Sequence, residues 1–200
     1  MVTFLYSKQN TLSKELCEEF ISTFEKSELK NNFDSRLGDG SIHKKATEIY
    51  FYDSLNAEWL VKEKHLWYDL LFDLNNIIIQ NYDSYCKEYP QLNMTPPLEC
   101  ISFNLQKYNP GEGFANWHFD SVYENSKRVL VWMIYLNDVE DGGTEFKYQE
   151  HVEKAIQGKF LIWPADWTFV HRGEVSYTKT KYILTGWFTE VDHSKFDFPK

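Results

Sequence analysis

The chain has 200 residues, 42% hydrophobic and 26% charged, enough for one domain with a sizeable core. Its formal charge of −9 argues against long-range attraction to nucleic acid or an anionic membrane. Cys17, Cys86 and Cys100 lie far apart and form no CxxC, which argues against a disulfide framework or thiolate zinc site and fits a reducing, cytoplasmic setting.

The N-terminus, "MVTFLYSKQNTLSKEL", has no basic region followed by an apolar one, so no signal peptide is expected. In "TLSKELCEEFISTFEKSEL", Leu12, Leu16, Phe20 and Phe24 recur every fourth residue with Ile21 beside them, which predicts a first helix capped by Thr11 or Ser13. Residues 31–47 are polar, hold "LGDGS", and read as loop. "TEIYFYD" reads as a strand from its β-branched and aromatic content. A long helical region is expected over 56–88, begun by Leu60, Lys64 and Trp67. Trp67, Leu70, Leu71, Leu74, Ile77 and Ile78 form its apolar stripe, and the prolines of "YPQLNMTPP" end it.

From residue 98 the pattern changes. "LECISFNLQKY", "RVLVWMIYLND", "GKFLIWP", "DWTFVH" and "KYILTGWFTEV" are short β-prone runs separated by turn residues. Helices followed by many short strands imply an α+β chain whose strands form a sandwich or barrel. Apolar stretches are short and broken by charges, so no membrane-spanning helix is expected.

"NWHFDS" carries the chemistry. In extended chain His118 and Asp120 point to the same face and can hold one ion together. Two histidines and one carboxylate on one side of a metal is the ligand set of non-haem Fe(II) oxygenases, so a second histidine is required. His171, near the end of "ADWTFVHRGEV", is the candidate. His43, His65 and His193 fall in polar loop, helix and tail. His151 and Glu153 form a rival H-x-E pair, but in the charged run "KYQEHVEKAIQG", which reads as solvated. An Fe(II) centre of this type takes a 2-oxo acid, whose far carboxylate needs a cation. Lys181, Lys179 and Arg172 are the candidates, and strand geometry leaves the choice between the two lysines open.

Four segments in order, "LQKYNPGEGFANWHFD", "VWMIYLNDVEDGGTEF", "GKFLIWPADWTFVHRG" and "TKYILTGWF", resemble the 2-oxoglutarate and Fe(II)-dependent oxygenase superfamily, in its prolyl 4-hydroxylase-like branch. The resemblance spans about residues 100–190. It implies a double-stranded β-helix, or jelly roll, supported by N-terminal helices. A single domain over 1–200 is expected, with helical support over about 1–97 and a catalytic β-core over about 98–192. Carried over by position, the resemblance implies that His118, Asp120 and His171 hold iron. It implies that Lys181 binds the distal carboxylate of 2-oxoglutarate, at the branch's ten-residue offset from the distal histidine. It further implies that Tyr108 hydrogen-bonds that co-substrate, that Tyr135 is a second pocket tyrosine, and that Trp187 and Thr185 line the site. Fe(II), 2-oxoglutarate and O2 are the implied cofactors, with ascorbate as an optional auxiliary.

The implied reaction is hydroxylation of an unactivated C–H bond, favouring a prolyl residue of a peptide or protein, with release of succinate and CO2. Hydroxylation of a free amino acid or small metabolite is the alternative, and a non-catalytic jelly-roll binding or sensing module is another. A cupin-like metal enzyme without 2-oxoglutarate would have no need of Lys181. Neither nucleic acid nor a membrane is an expected partner. The turn at Gly142, Gly143 and Phe146 lacks the proline common in the family, and 147–157 is highly charged, so the rim that sets the primary substrate departs from the family pattern.

Overall fold

The computed structural model describes residues 3–40, 42–52 and 60–191. Strand β1 (Tyr6–Lys8) precedes helix α1 (Lys14–Lys26), strands β2 (Asn31–Arg36) and β3 (Ile42–Tyr52) and helix α2 (Leu60–Glu88). Then come β4 (Leu98–Tyr108), β5 (Arg128–Tyr135), β6 (Val139–Phe146), β7 (His151–Ala155), β8 (Phe160–Pro164), β9 (His171–Gly173) and β10 (Lys181–Glu190). A seven-stranded sheet runs β1-β8-β5-β10-β4-β3-β2, and a three-stranded sheet runs β7-β6-β9. These antiparallel sheets form the jelly roll, a double-stranded β-helix.

Helix α1 starts where Ser13 Oγ accepts from Leu16 N at 3.2 Å, one of the two caps the sequence offered. Its apolar face buries Cys17, Phe20 and Phe24. Helix α2 breaks at Glu63, whose φ of −120° and ψ of 17° are not helical. The break gives its carboxylate access to α1: Ser27 Oγ, Glu28 N and Trp67 Nε1 all donate to it. The expected residues 56–59 of this helix lie outside the described residues. A 3-10 turn, Pro90–Met94, then ends the helical run.

Side chains alternate across each strand, so the large sheet has two apolar faces. Leu184 and Phe188 of β10 pack with Phe20, Phe24, Trp67 and Leu74 of the helices. Ile183 and Trp187 turn the other way, onto Val131, Met133, Tyr135 and Trp163. Helices therefore cover one face, and the other lines a chamber. No helix among the described residues is long and apolar enough to cross a membrane.

Four expectations need correction. Residues 31–47 are not loop: they form β2 and the first half of β3, a hairpin whose outer strand is polar because five of its six residues face solvent. His43 is thus a strand residue. "DWTFVH" is not one strand: Asp166 Oδ1 accepts from Thr168 N and Oγ1, folding Trp167–Phe169 into a 3-10 turn, and His171 opens β9 instead of closing a run. The charged run around His151 forms β7, where Glu153 is buried against Lys159 Nζ at 3.0 Å. The N-terminal stretch expected as helical support also supplies three strands of the large sheet.

Candidate active site

A loop delivers His118, and the start of β9 delivers His171. His118 N donates to His171 O at 3.0 Å, and His171 N donates to His118 O at 2.8 Å, so the two residues face each other across an antiparallel bridge. Each Nδ1 sits against a backbone carbonyl two residues earlier: His118 against Asn116 O at 2.8 Å, His171 against Phe169 O at 2.9 Å. A carbonyl only accepts, so both Nδ1 atoms carry the proton and both Nε2 lone pairs are free. Burial, then the neighbouring His171, push the His118 imidazole down to about 4 against the pull of Asp120, which keeps it neutral. Phe114 stacks on His118 with ring centres 3.6 Å apart, and Trp163 meets His171 edge-on at 5.1 Å.

Asp120 completes the group. The three ligand-type atoms of His118, Asp120 and His171 lie within 4.8 Å of one another. Asp120 Oδ1 accepts from Trp187 Nε1 at 2.8 Å, while Oδ2 is buried with no hydrogen-bond partner and lies 3.5 Å from His171 Nε2. A buried carboxylate oxygen left unpaired is costly unless a cation completes it. Two free imidazole nitrogens and one orphaned carboxylate oxygen, aimed at a common point, fit a divalent metal of the Fe(II) type.

All eight residues singled out in the sequence line one chamber, with about 680 Å³ of empty space including its open mouth. Lys181 is 4% exposed. Its Nζ donates to Gly142 O at 2.9 Å and Glu174 O at 2.8 Å, and lies 5.4 Å from the centre of the Tyr108 ring. Two of its three N–H groups are thus used, leaving one for a ligand. Burial pushes its pKa down to about 8, against the Glu174 and Asp141 carboxylates. The close approach explains the glycine pair: a Cβ on Gly142 would stand 2.5 Å from Val139 Cγ1 and 3.2 Å from Lys181 Cδ. Lys179 is exposed, and Arg172 is engaged with Glu145 at 2.7 Å, so Lys181 alone of the three candidate cations lines the chamber.

The other expected residues are held in place by hydrogen bonds to their neighbours. Tyr108 donates to Gln106 Oε1 at 2.7 Å, and Gln106 donates to Glu48 Oε2 at 3.0 Å. Tyr135 Oη pairs with Thr144 Oγ1 at 2.6 Å, and Thr185 Oγ1 donates to Trp132 O at 3.2 Å. Burial holds both tyrosine phenols above their ordinary range. Trp187 does more than line the wall, since its N–H fixes Asp120 while the Arg128 guanidinium lies 3.4 Å from its ring centre.

Asn104, Gln106, Thr144 and Lys44 also line the chamber and were not singled out in the sequence. Counting back from Tyr108 with a period of two would have found Gln106 and Asn104 on the same strand face. Lys44 and Thr144 carry no such signal.

Sequence and fold comparisons agree with this geometry. The sequence model of the 2OG-Fe(II) oxygenase superfamily matches residues 103–189. Among curated proteins none matches the chain in sequence. Viral collagen prolyl hydroxylase vCPH from Paramecium Bursaria Chlorella virus-1, a 2OG complex, superposes with TM-score 0.65 at 14% identity, over 94% of this chain and 97% of its own. A Trichoplax adhaerens prolyl hydroxylase, in complex with a hypoxia inducible factor oxygen degradation domain peptide fragment, superposes with TM-score 0.66 at 14% identity, over 94% and 84%. The non-heme alpha ketoglutarate dependent epimerase SnoN from nogalamycin biosynthesis gives TM-score 0.63 at 11% identity, over 94% and 78%. The segment matched by that superfamily's model runs from β4 to β10 and contains all three members of the His-Asp-His group.

Proposed function

We propose that this protein is an Fe(II)- and 2-oxoglutarate-dependent dioxygenase that hydroxylates an unactivated C–H bond, with a prolyl residue of a peptide or protein as substrate. One observation carries the reading: a partly buried His-Asp-His group, its ligand-type atoms within 4.8 Å of one another and Asp120 Oδ2 unpaired, shares a chamber with a buried lysine that keeps one free N–H.

His118 Nε2, His171 Nε2 and Asp120 Oδ2 would hold the iron. With 2-oxoglutarate and O2, the iron supplies the oxidising power for C–H cleavage, with succinate and CO2 as co-products. The protein's own residues orient and enclose. Lys181 meets the distal carboxylate of the co-substrate with a charge-assisted hydrogen bond. Tyr108 presents its ring beneath that ammonium, its hydroxyl tied to Gln106. Trp187 fixes the rotamer of Asp120, and the two backbone carbonyls fix the imidazole tautomers. Phe114 and Trp163 cover the imidazole faces and edges and keep water from them.

The prolyl substrate is supported by two prolyl hydroxylases of like fold, one of them with a bound peptide. A small-molecule substrate is the second reading, favoured by the epimerase of equally similar fold, since a fold does not fix a substrate. Succinate formation from 2-oxoglutarate, measured with a proline-rich peptide and with free proline, separates the two. The dioxygenase reading is refuted if a His118→Ala, Asp120→Ala double variant turns over 2-oxoglutarate as fast as the parent.

A further inference from the structure

The wall that carries the two imidazoles also has an outer side. His118 and His171 form an isolated antiparallel bridge, each donating its backbone N–H to the other's carbonyl. The residues one step further out, Trp117 and Arg172, therefore stand opposite each other as a non-hydrogen-bonded pair, with Cα atoms about 4.5 Å apart in the usual geometry and side chains on the other face. Their contact is made: the Arg172 guanidinium carbon lies 4.4 Å from the centre of the Trp117 ring, inside cation–π range. Neither residue lines the chamber, and Trp117 is 36% exposed. Arg172, which the sequence offered as a cation for the 2-oxo acid, thus faces away from it.

The row continues across the small sheet. Arg172 is paired with Glu145 where β9 meets β6, and its Nε and Nη2 both reach Glu145 Oε2, each at 2.7 Å. Lys147 Nζ brings a second cation to 5.6 Å from the Trp117 ring centre. Strand β9 is fixed to β6 by three consecutive pairs. The loop that carries His118 and Asp120 belongs to no strand among the described residues. Gly173 N donates to Phe114 O at 2.9 Å upstream of the bridge, and Asp120 N and Ser121 N donate to Ala165 O at 3.0 and 2.9 Å downstream of it. On the outer face, beside His118 itself, the side chain that ties this loop to β9 is Trp117.

We propose that Trp117 and Arg172 are positioning residues for the metal centre: an outer clasp, braced on β6 by Glu145, that sets the angle at which the His118 loop crosses β9 and hence the spacing of the two imidazole Nε2 atoms. The proposal rests on the dioxygenase reading and adds to it two residues that touch neither metal nor co-substrate. An isolated bridge leaves two segments free to twist about one pair of hydrogen bonds. A guanidinium held against an indole on the opposite face resists that twist. Exposed contacts of this kind add little to global stability. The metal nevertheless senses them, because any splay of the imidazoles has to be reversed when the ion binds.

The test is an anaerobic titration of metal-free protein with Fe(II), and separately with Co(II) for its visible bands, in the parent, Trp117→Leu, Arg172→Gln, the double variant and Trp117→Tyr. Trp117→Leu and Arg172→Gln are each expected to raise the dissociation constant for both metals about tenfold, the lower end of the loss for removing a support of a metal-binding histidine, and to shift the Co(II) bands. The double variant should lose no more than either single variant, because the two side chains act as one unit. Trp117→Tyr keeps an aromatic face and should recover most of the affinity. Melting temperatures of the metal-free proteins should stay close to the parent's, a readout that a merely structural role would move. If Trp117→Leu and Arg172→Gln bind both metals as tightly as the parent, the clasp alone is overturned. It is equally overturned if the losses multiply in the double variant, if affinity falls only in step with the metal-free melting temperature, or if both single variants fail to fold. If the parent itself binds neither metal, the dioxygenase reading falls and takes the clasp with it.

Discussion

Raising the pH from about 7 to about 9 should weaken 2-oxoglutarate binding about tenfold, with Lys181 as the cause. The ammonium is 4% exposed, and its burial pushes its pKa down to about 8, against an ordinary value of 10.5. Only the protonated form offers charge to the distal carboxylate. The dissociation constant should therefore be flat well below that pKa and climb tenfold per pH unit above it. Lys181→Met should lose the charge-assisted hydrogen bond, about 1.5–3 kcal/mol, or roughly 10- to 150-fold in affinity, and should lose the pH dependence as well. The assay is an anaerobic titration of Fe(II)-loaded protein with 2-oxoglutarate, followed by the visible charge-transfer band and run at several pH values on both proteins. A flat profile in the parent, or an identical slope in Lys181→Met, would refute the assignment. Linkage adds a second reading of the same group. Lys181 binds its proton less tightly when folded than when unfolded, so its contribution to the stability of the ligand-free protein improves as pH rises from about 8 toward 10.5. Urea denaturation of the parent should show that improvement, and Lys181→Met should not.

Trp187→Phe keeps an aromatic ring but removes the N–H that holds Asp120 Oδ1 at 2.8 Å; Fe(II) affinity should fall about tenfold or more in a direct titration, and unchanged affinity would deny the positioning role. Gly158→Ala should destabilise the fold by about 1–3 kcal/mol in chemical denaturation, because Gly158 has φ +74° and a Cβ there would stand 2.2 Å from Leu12 O. Glu63 is the acid-sensitive element. Burial raises its pKa, but hydrogen bonds from Ser27, Glu28 and Trp67 outweigh that and hold it below 4.5. The stability it confers is present above 4.5 and lost as pH falls through the lower folded value, so Glu63→Gln should lower stability at neutral pH and flatten its decline in acid.

Elements with a strong periodic apolar signal were legible. Helix α1 follows from Leu12, Leu16, Phe20 and Phe24, and "LECISFNLQKY" is β4 to the residue. Strands without that signal were not. β2 is a polar edge strand, β6 is rich in glycine and acid, and β7 alternates charge with burial in a way that composition masks. Their existence depends on partners far away in sequence, as β6 pairs with both β7 and β9. The His118–Asp120 pair was readable from spacing. His171 was a candidate from its place in the chain, but its meeting with His118, like the choice of Lys181 over Lys179, needed the family resemblance, because nothing local says that β9 will lie against the loop carrying His118. Asn104 was within reach of a period-two count from Tyr108.

The reciprocal bridge between His118 and His171 has a practical consequence. Main-chain bonds, not the ion, hold these segments together, so assembly of the pocket should precede loading. Stripping the protein with a chelator should leave an intact vessel that refills on adding Fe(II), unlike small zinc modules that unravel when emptied. A surrogate such as Mn(II) or Co(II) should likewise enter without remodelling its surroundings. The same rigidity makes the arrangement fragile to register: displacing the short β9 segment by one position would turn His171 away from Asp120 and leave the basin without its third grip.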